Sequence, residues 1–371
     1  MEKEIIKQRI QRLRQETATI FDTIVVLSDA NRRYLSGYTG EDGNYDETAG
    51  LLIITPKDLI LATDSRYDTQ ARDEASLYTV HCCKKSLIEE LPGLLKSVDA
   101  RQVGIEESRL TYRLYQKLCK EIEKDGDLEI KLSPADDLLG SFRTNKDPGE
   151  LIKIKEVLSL AENAFLKLRP QIRVGMTERE AAWLLEKTMR EMGADGLSFP
   201  VIAASGPNSA LAHATPGSRQ FKKGEPLLFD FGARLNGYCS DTTRTLVIGE
   251  PDSPFEEIYE ILFQAQRIAI EAIAPGVPAS SIDKIARDYI DATPYRGKFG
   301  HSLGHGVGLV IHEEPRVSRL NHSALESGMV ITVEPGIYIP EWGGIRLENM
   351  VVVTDTGAEV LNSMDYGDFR L

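Results

Sequence analysis

The stretch "PLLFDFGARLNGYCSDTTRTLVIG", residues 226–249, constrains this chain more than any other. Asn236-Gly237 suits the centre of a two-residue hairpin, where both residues must accept positive φ. Pairing Leu235 with Tyr238 sets the register, with Asp230 opposite Thr243 and Asp241 opposite Gly232. Both aspartates then point to one face, as diagonal neighbours about 7 Å apart at the backbone. Asp230 sits inside "LLFDF", and ionised carboxylates are seldom buried without a partner. Two readings stay open on these residues. One is a surface hairpin with two solvated acids; the other is a carboxylate pair converging on cations, with Gly232 leaving room for an ion.

Further acids lie in similar apolar settings. Glu334 ends "MVITVE" just before Pro335, a residue that stops ladder pairing and suits a strand terminus. In "GIRLENMVVVT", period-2 alternation puts Arg346, Glu348 and Met350 on one face. An isolated Arg346–Glu348 pair would usually be structural, but four acids embedded in strands point more firmly to chemistry. Four of the six histidines, His213, His301, His305 and His312, fall in segments rich in glycine, proline or small residues. Beside those acids they suggest one metal ligand with acid–base or electrophilic partners. His81 and His322 lack that context.

The segment "GKFGHSLGHGVGLVIHEEP", residues 297–315, also fits G-x-S-x-G around Ser302. A nucleophile elbow needs a strand before the serine and a helix after it. The upstream "DATPYRGKFG" makes a poor strand, and Gly304, Gly306 and Gly308 weaken any helix. The triad order fails as well, because the last histidine is His322. A nucleotide-binding reading of "GHGVG" lacks both the full G-x-G-x-x-G and its preceding strand. If the nearby acids hold a metal, the glycines would let backbone pass close to it.

At 371 residues the chain is long for one hydrophobic core, so two domains are expected. Residues 1–138 alternate short apolar runs with helical patterns, which predicts a small α/β domain. "TIVVLS", "GLLIIT", "DLILAT" and "YTVHCC" read as strands, and "TYRLYQKLCKEIEK" as a helix. Its insert "GEDGNYDETAG" is too polar to bury and reads as a surface loop. Residues 139–371 form the second domain. A helix is expected through Leu151, Ile152, Ile154, Val157, Leu158, Ala161, Ala164 and Phe165. Capping boxes are expected at Thr177–Glu180 and at Ser253-Pro254-x-Glu256, and helices near 254–274 and 281–291.

A net charge of −13 argues against a nucleic-acid partner. No apolar run approaches a membrane span, and "MEKEIIKQRIQRLRQE" lacks the apolar core of a signal peptide. Cys82, Cys83, Cys119 and Cys239 contain no C-x-x-C pair and suit a reducing cytoplasm.

"LLFDFGARLNGYCSDTTRT", "GHSLGHGVGLVIHEEP", "TVEPGIY" and "GIRLENMVVVT" together resemble the serial signatures of the pita-bread metallopeptidases. Within them, the chain resembles the aminopeptidase P and prolidase branch. That resemblance spans roughly residues 145–365, with a weaker likeness to the branch's N-terminal domain through "NRRYLSGYTG" and "LATDSRYDTQA". It implies an α+β chain: a creatinase-like α/β N-terminal domain followed by a pita-bread catalytic domain. It also implies two divalent metal ions. Asp230 would hold one, Asp241 and Glu348 would bridge both, and His305 and Glu334 would complete the other. His213 and His301 would contact substrate and stabilise the tetrahedral intermediate, with His312 and Arg346 supporting the scissile region. Ser302 has no role in that scheme.

A carboxylate-bridged pair of ions activates a shared water and clamps the carbonyl under attack. Four carboxylates and one imidazole form an oxygen-rich set that favours Mn(II) ahead of Co(II), Fe(II) or Zn(II). The activity implied is hydrolysis of an N-terminal Xaa-Pro bond in a peptide with proline second. An aminopeptidase leads, with a dipeptidase as the alternative and a non-catalytic binding protein as the alternative of another class. A homodimer is implied too. Methionine aminopeptidase shares the ligand set but usually lacks such an N-terminal domain, and creatinase lacks the metal acids. Ala212 departs from a position that is often proline in the family.

Overall fold

The computed structural model describes residues 2–43, 47–124, 129–366 and 369–371. Its contacts divide into two units, Met1–Arg143 and Thr144–Leu371.

The first unit is an α/β layer in which every strand read from the sequence forms. Its strands are β1 (Thr23–Val26), β2 (Leu51–Ile54), β3 (Leu59–Thr63), β4 (Thr79–Cys82), β5 (Gln102–Ile105) and β6 (Lys131–Pro134). They make one mixed sheet in the order β4-β3-β2-β1-β5-β6. The helices are α1 (Glu2–Thr17), α2 (Asp29–Ser36), α3 (Asp68–Glu74), α4 (Leu87–Ser97), α5 (Tyr112–Lys124) and α6 (Asp136–Ser141). Leu91 and Leu95 of α4 and Leu118 and Ile122 of α5 bury against Val25, Ile53, Val103 and Ile105 of the sheet.

The polar 40–50 insert is not simply a solvated loop, although its Asn44–Asp46 lie outside the described residues. The Asp42 side chain is buried, with Oδ1 2.7 Å from Arg32 Nη2 and Oδ2 2.8 Å from Arg109 Nη2. It also accepts the Ala49 backbone N–H. Charge pairing anchors the loop where apolar burial could not.

In the second unit, α7 (Pro148–Leu168) and α8 (Glu178–Glu191) begin with capping boxes, Asp147 with Glu150 and Thr177 with Glu180. The buried face of α7 carries Ile154, Val157, Leu158, Ala161 and Phe165, whereas Ile152 turns outward. Next come β7 (Gly196–Leu197), β8 (Ile202–Ser205), β9 (Leu227–Phe231), β10 (Ala233–Leu235), β11 (Tyr238–Cys239) and β12 (Thr242–Leu246). Helices α9 (Phe255–Glu271) and α10 (Ala279–Asp291) precede β13 (Gly304–Gly306), β14 (Glu313–Val317) and β15 (Val330–Val333). The remaining strands are β16 (Gly336–Ile339), β17 (Gly343–Arg346), β18 (Asn349–Val353) and β19 (Ala358–Val360). One apolar cluster joins α7 and α8 to β9, and a second joins α9 and α10 to β15, β17 and β18.

The expected cap at Ser253 does not form. Pro254 takes the cap position of α9, with no side-chain cap bond. Ser253 therefore stands one residue too far out, and Glu257 rather than Glu256 occupies the third helical position.

Candidate metal centre

The hairpin takes the register read from Asn236-Gly237. Leu235 faces Tyr238, and beyond a break Asp230 faces Thr243. Asn236 and Gly237 both adopt positive φ, as the turn requires. The ladder divides at Gly232, so β9 and β12 join one sheet while β10 and β11 join another. Gly232 does not leave room for an ion. A Cβ there would stand 1.9 Å from the Ser240 carbonyl oxygen, so the missing side chain serves a close backbone approach. Gly304 is similar, because its Cβ would meet the Thr332 carbonyl at 1.9 Å. That glycine brings β13 against backbone rather than against a metal.

Asp241, His305 and Glu348 converge, each offering a ligand atom within 4.8 Å of the others'. His305 Nε2 lies 3.5 Å from Asp241 Oδ2 and 3.4 Å from Glu334 Oε1. The opposite ring nitrogen, Nδ1, is 3.1 Å from the Gly306 carbonyl. A carbonyl only accepts, so Nδ1 carries the proton and Nε2 presents its lone pair to the acids. Asp230 joins through Arg346, whose Nη2 donates to Oδ2 at 2.6 Å.

Glu348 and Arg346 share the face predicted from alternation, although the strand breaks between β17 and β18. Thr243 bridges that break: its hydroxyl donates to Glu348 Oε2 at 2.7 Å and accepts from Arg346 Nε at 3.1 Å. Thr332 does similar work, donating to Glu334 Oε1 and accepting the His305 backbone N–H. Met350 Sδ accepts the Asp241 backbone N–H.

The electrostatics call for cations. Burial, and then repulsion from Glu348, Asp230 and Glu334, holds the Asp241 carboxyl well above the usual carboxylate range. Glu348 is raised in the same way, by burial and then by Glu334 and Asp230. Burial pushes Glu334 up to about 8. Two oxygens in this cluster, Asp230 Oδ1 and Glu348 Oε1, are buried with no hydrogen-bond partner. Unsatisfied buried carboxylate oxygens are costly. The donor set thus fits hard divalent ions, which would supply both the missing charge and the missing partners.

Around the acids, burial holds His301 and His305 neutral, each lowered to about 4. His301 Nδ1 is 2.8 Å from the Ser302 carbonyl, and its Nε2 is 2.9 Å from Tyr338 Oη. Tyr338 accepts from Arg346 Nη1 at 2.8 Å, so its hydroxyl proton goes to His301. Sequence reasoning missed Tyr338, although it lies in "TVEPGIY". The same Arg346 nitrogen donates to the Ala212 carbonyl at 3.2 Å. That bond tethers the loop that carries His213. His213, exposed on this loop, lies close enough to act electrostatically on His301 and His312. His312 packs its ring edge-on to His305, centroids 4.3 Å apart. Ser302 has no strand before it and no helix after it, and only its carbonyl is engaged near the site.

Sequence and fold comparisons give the family to which these residues belong. Residues 152–355 match the model of metallopeptidase family M24, and residues 9–144 match the creatinase/prolidase N-terminal domain. The Xaa-Pro dipeptidase of Pyrococcus furiosus is 35% identical over 361 residues, covering 97% of this chain and 99% of that one. The solved structure of an Xaa-Pro dipeptidase from Bacillus anthracis superposes with a TM-score of 0.92. It is 35% identical, over 99% of this chain and 100% of that one. An X-Pro aminopeptidase from Thermotoga maritima gives 0.86 at 35% identity, over 96% and 100% of the two chains. A creatinase-type N-terminal domain therefore precedes a pita-bread catalytic domain, and the chain belongs to metallopeptidase family M24.

Proposed function

We propose that this metallopeptidase is an exopeptidase that cleaves the bond between an N-terminal residue and a following proline. The observation that carries the proposal is the pair of unpartnered buried oxygens, Asp230 Oδ1 and Glu348 Oε1, in the cluster of Asp241, His305 and Glu334. In this reading Asp230, Asp241, His305, Glu334 and Glu348 would hold two divalent ions. The oxygen-rich set favours Mn(II), with Co(II), Fe(II) or Zn(II) able to substitute. Bound there, the ions would acidify a water and polarise the scissile carbonyl.

The protein's own groups do the rest. Glu334, its Oε1 held by Thr332, takes a proton from the attacking water and returns it to the leaving prolyl nitrogen. Arg346 fixes Asp230 and, through Tyr338, orients His301. His213 and His312 flank the same face and suit contacts to substrate oxygen. The dipeptidase names of the Pyrococcus and Bacillus relatives make Xaa-Pro dipeptides the first substrates to offer. The Thermotoga neighbour supports a second reading, the aminopeptidase that acts on longer peptides.

The test strips the metal, restores single ions and offers Xaa-Pro and Xaa-Pro-Yaa side by side. Ion-dependent release of Xaa is expected, and the preferred length assigns the subclass. Failure to cleave either, with ions demonstrably bound, overturns the proposal. A homodimer and a cytoplasmic site of action belong to the same reading. The four free thiols support the second, and light scattering tests the first. Among the described residues, no helix is long and apolar enough to cross a membrane.

A further inference from the structure

The first unit carries a second cluster of ligand-type side chains that the peptidase chemistry does not use. His81 lies on the edge strand β4, and Cys83 lies two residues on, just past its end. Two-residue spacing puts both side chains on one face, and Cys82 on the other. The first turns of α4 bring Glu90 to that face. Glu90 Oε1 accepts the backbone N–H groups of Lys84 and Lys85, each at 2.6 Å. With that oxygen fixed, Oε2 stands 2.9 Å from His81 Nε2, and the Cys83 thiol hydrogen-bonds the same carboxylate.

We propose that His81, Cys83 and Glu90 form a mononuclear site for a thiophilic divalent cation of the Zn(II) class. Imidazole Nε2, thiolate Sγ and a carboxylate oxygen make a borderline-soft set, unlike the oxygen-rich centre of the second unit. Their ligand atoms all lie within 4.8 Å of one another. Bonds of about 2.0–2.3 Å put tetrahedral donors about 3.3–3.8 Å apart, so adjustments on the order of 1 Å close the site. The His81 side chain is 40% exposed, which leaves the fourth position to water. Burial keeps the Cys83 thiol protonated until a cation arrives. Binding therefore releases the thiol proton to solvent and takes His81 in its neutral form.

The experiment titrates Co(II) into metal-free, full-length protein and follows thiolate-to-Co(II) charge-transfer absorption. The five candidate ligands of the peptidase centre include no thiol, so that band does not arise there, and its loss in Cys83→Ser assigns it to this cluster. One equivalent per chain is expected, displaced by Zn(II), lost in Cys83→Ser and kept in Cys82→Ser and Asp241→Asn. His81→Gln, at a surface position that leaves the core intact, should weaken Co(II) binding beyond the roughly 10–100-fold that losing an outer-shell partner costs. Absence of the band in the parent protein overturns the proposal. So does a band that survives Cys83→Ser, or an unchanged affinity in His81→Gln; the cluster would then be only a hydrogen-bonded tether between strand and helix.

Discussion

Arg346 grips Asp230 by one oxygen only: Nη2 donates to Oδ2 at 2.6 Å, and Oδ1 stays buried without a partner. The guanidinium thus half-neutralises a candidate ligand and leaves the other half for an ion. Burial works against its charge, but Tyr338, Asp230, Glu334 and Glu348 hold Arg346 firmly protonated. Breaking a buried pair costs about 3–5 kcal/mol because the surviving charge is stranded. Arg346→Ala should lower the stability of the metal-free protein by that order, measured by denaturant unfolding. Unchanged stability would mean that the Arg346–Asp230 pair contributes nothing to the metal-free fold.

Stripping the metal should make stability fall as pH rises between about 6.5 and 8. Glu334, at about 8 when folded, keeps its proton there while the unfolded chain has lost it. The native state then binds more protons, so the stability gradient with pH is negative. Asp241 and Glu348 add to it in the same direction. Below about 6.5, His301 and His305 oppose the trend, since they stay neutral in the fold and charge on unfolding. Added divalent ion should abolish the loss. Denaturation midpoints across this range, with and without ion, check the prediction; a midpoint rising toward pH 8 in the metal-free protein would contradict it.

Tyr338→Phe removes the hydroxyl between Arg346 and His301 while keeping the ring. A hydrogen bond to a charged group is worth about 1.5–3 kcal/mol. The expected outcome is a drop in kcat/KM of roughly 10–100-fold with full metal content. Loss of metal along with activity would instead assign Tyr338 to holding the centre together.

Gly232→Ala should be far more damaging than its size suggests. Its Cβ would collide with the Ser240 carbonyl, prising apart β9, which carries Asp230, and the segment that leads through Asp241 into β12. Overpacking of this kind costs about 1–3 kcal/mol or more. Thermal melting and metal stoichiometry should fall together. A variant of normal stability would show that the ladder tolerates opening there.

The hairpin was legible because its register depends on local turn chemistry, and the acids stood out because carboxylates are rare in apolar strands. Three features were not legible. The break between Arg346 and Asn349 comes from strands β17 and β18 pairing in different sheets, which alternation within "GIRLENMVVVT" cannot reveal. Ser253 has the right residue type for a cap, but whether Pro254 begins the helix or caps it depends on one residue of phase. Asp42 looked solvated because its partners Arg32 and Arg109 lie outside the loop that carries it. Gly232 was noticed but misread, since sequence shows an absent side chain and not what fills the space.

The centre draws on segments far apart in the chain, and the Arg346–Asp230 contact alone joins residues 116 positions apart. Its acids come from strands or strand ends of separate sheets, one built on β9 and β12 and another on β15 and β18. An ion held among them would act as a cross-link, closing a long loop that backbone ladders do not close. Metal occupancy then doubles as a gauge of intact topology. A slipped strand or a nick within that span would register as released ion while every helix still reads as folded.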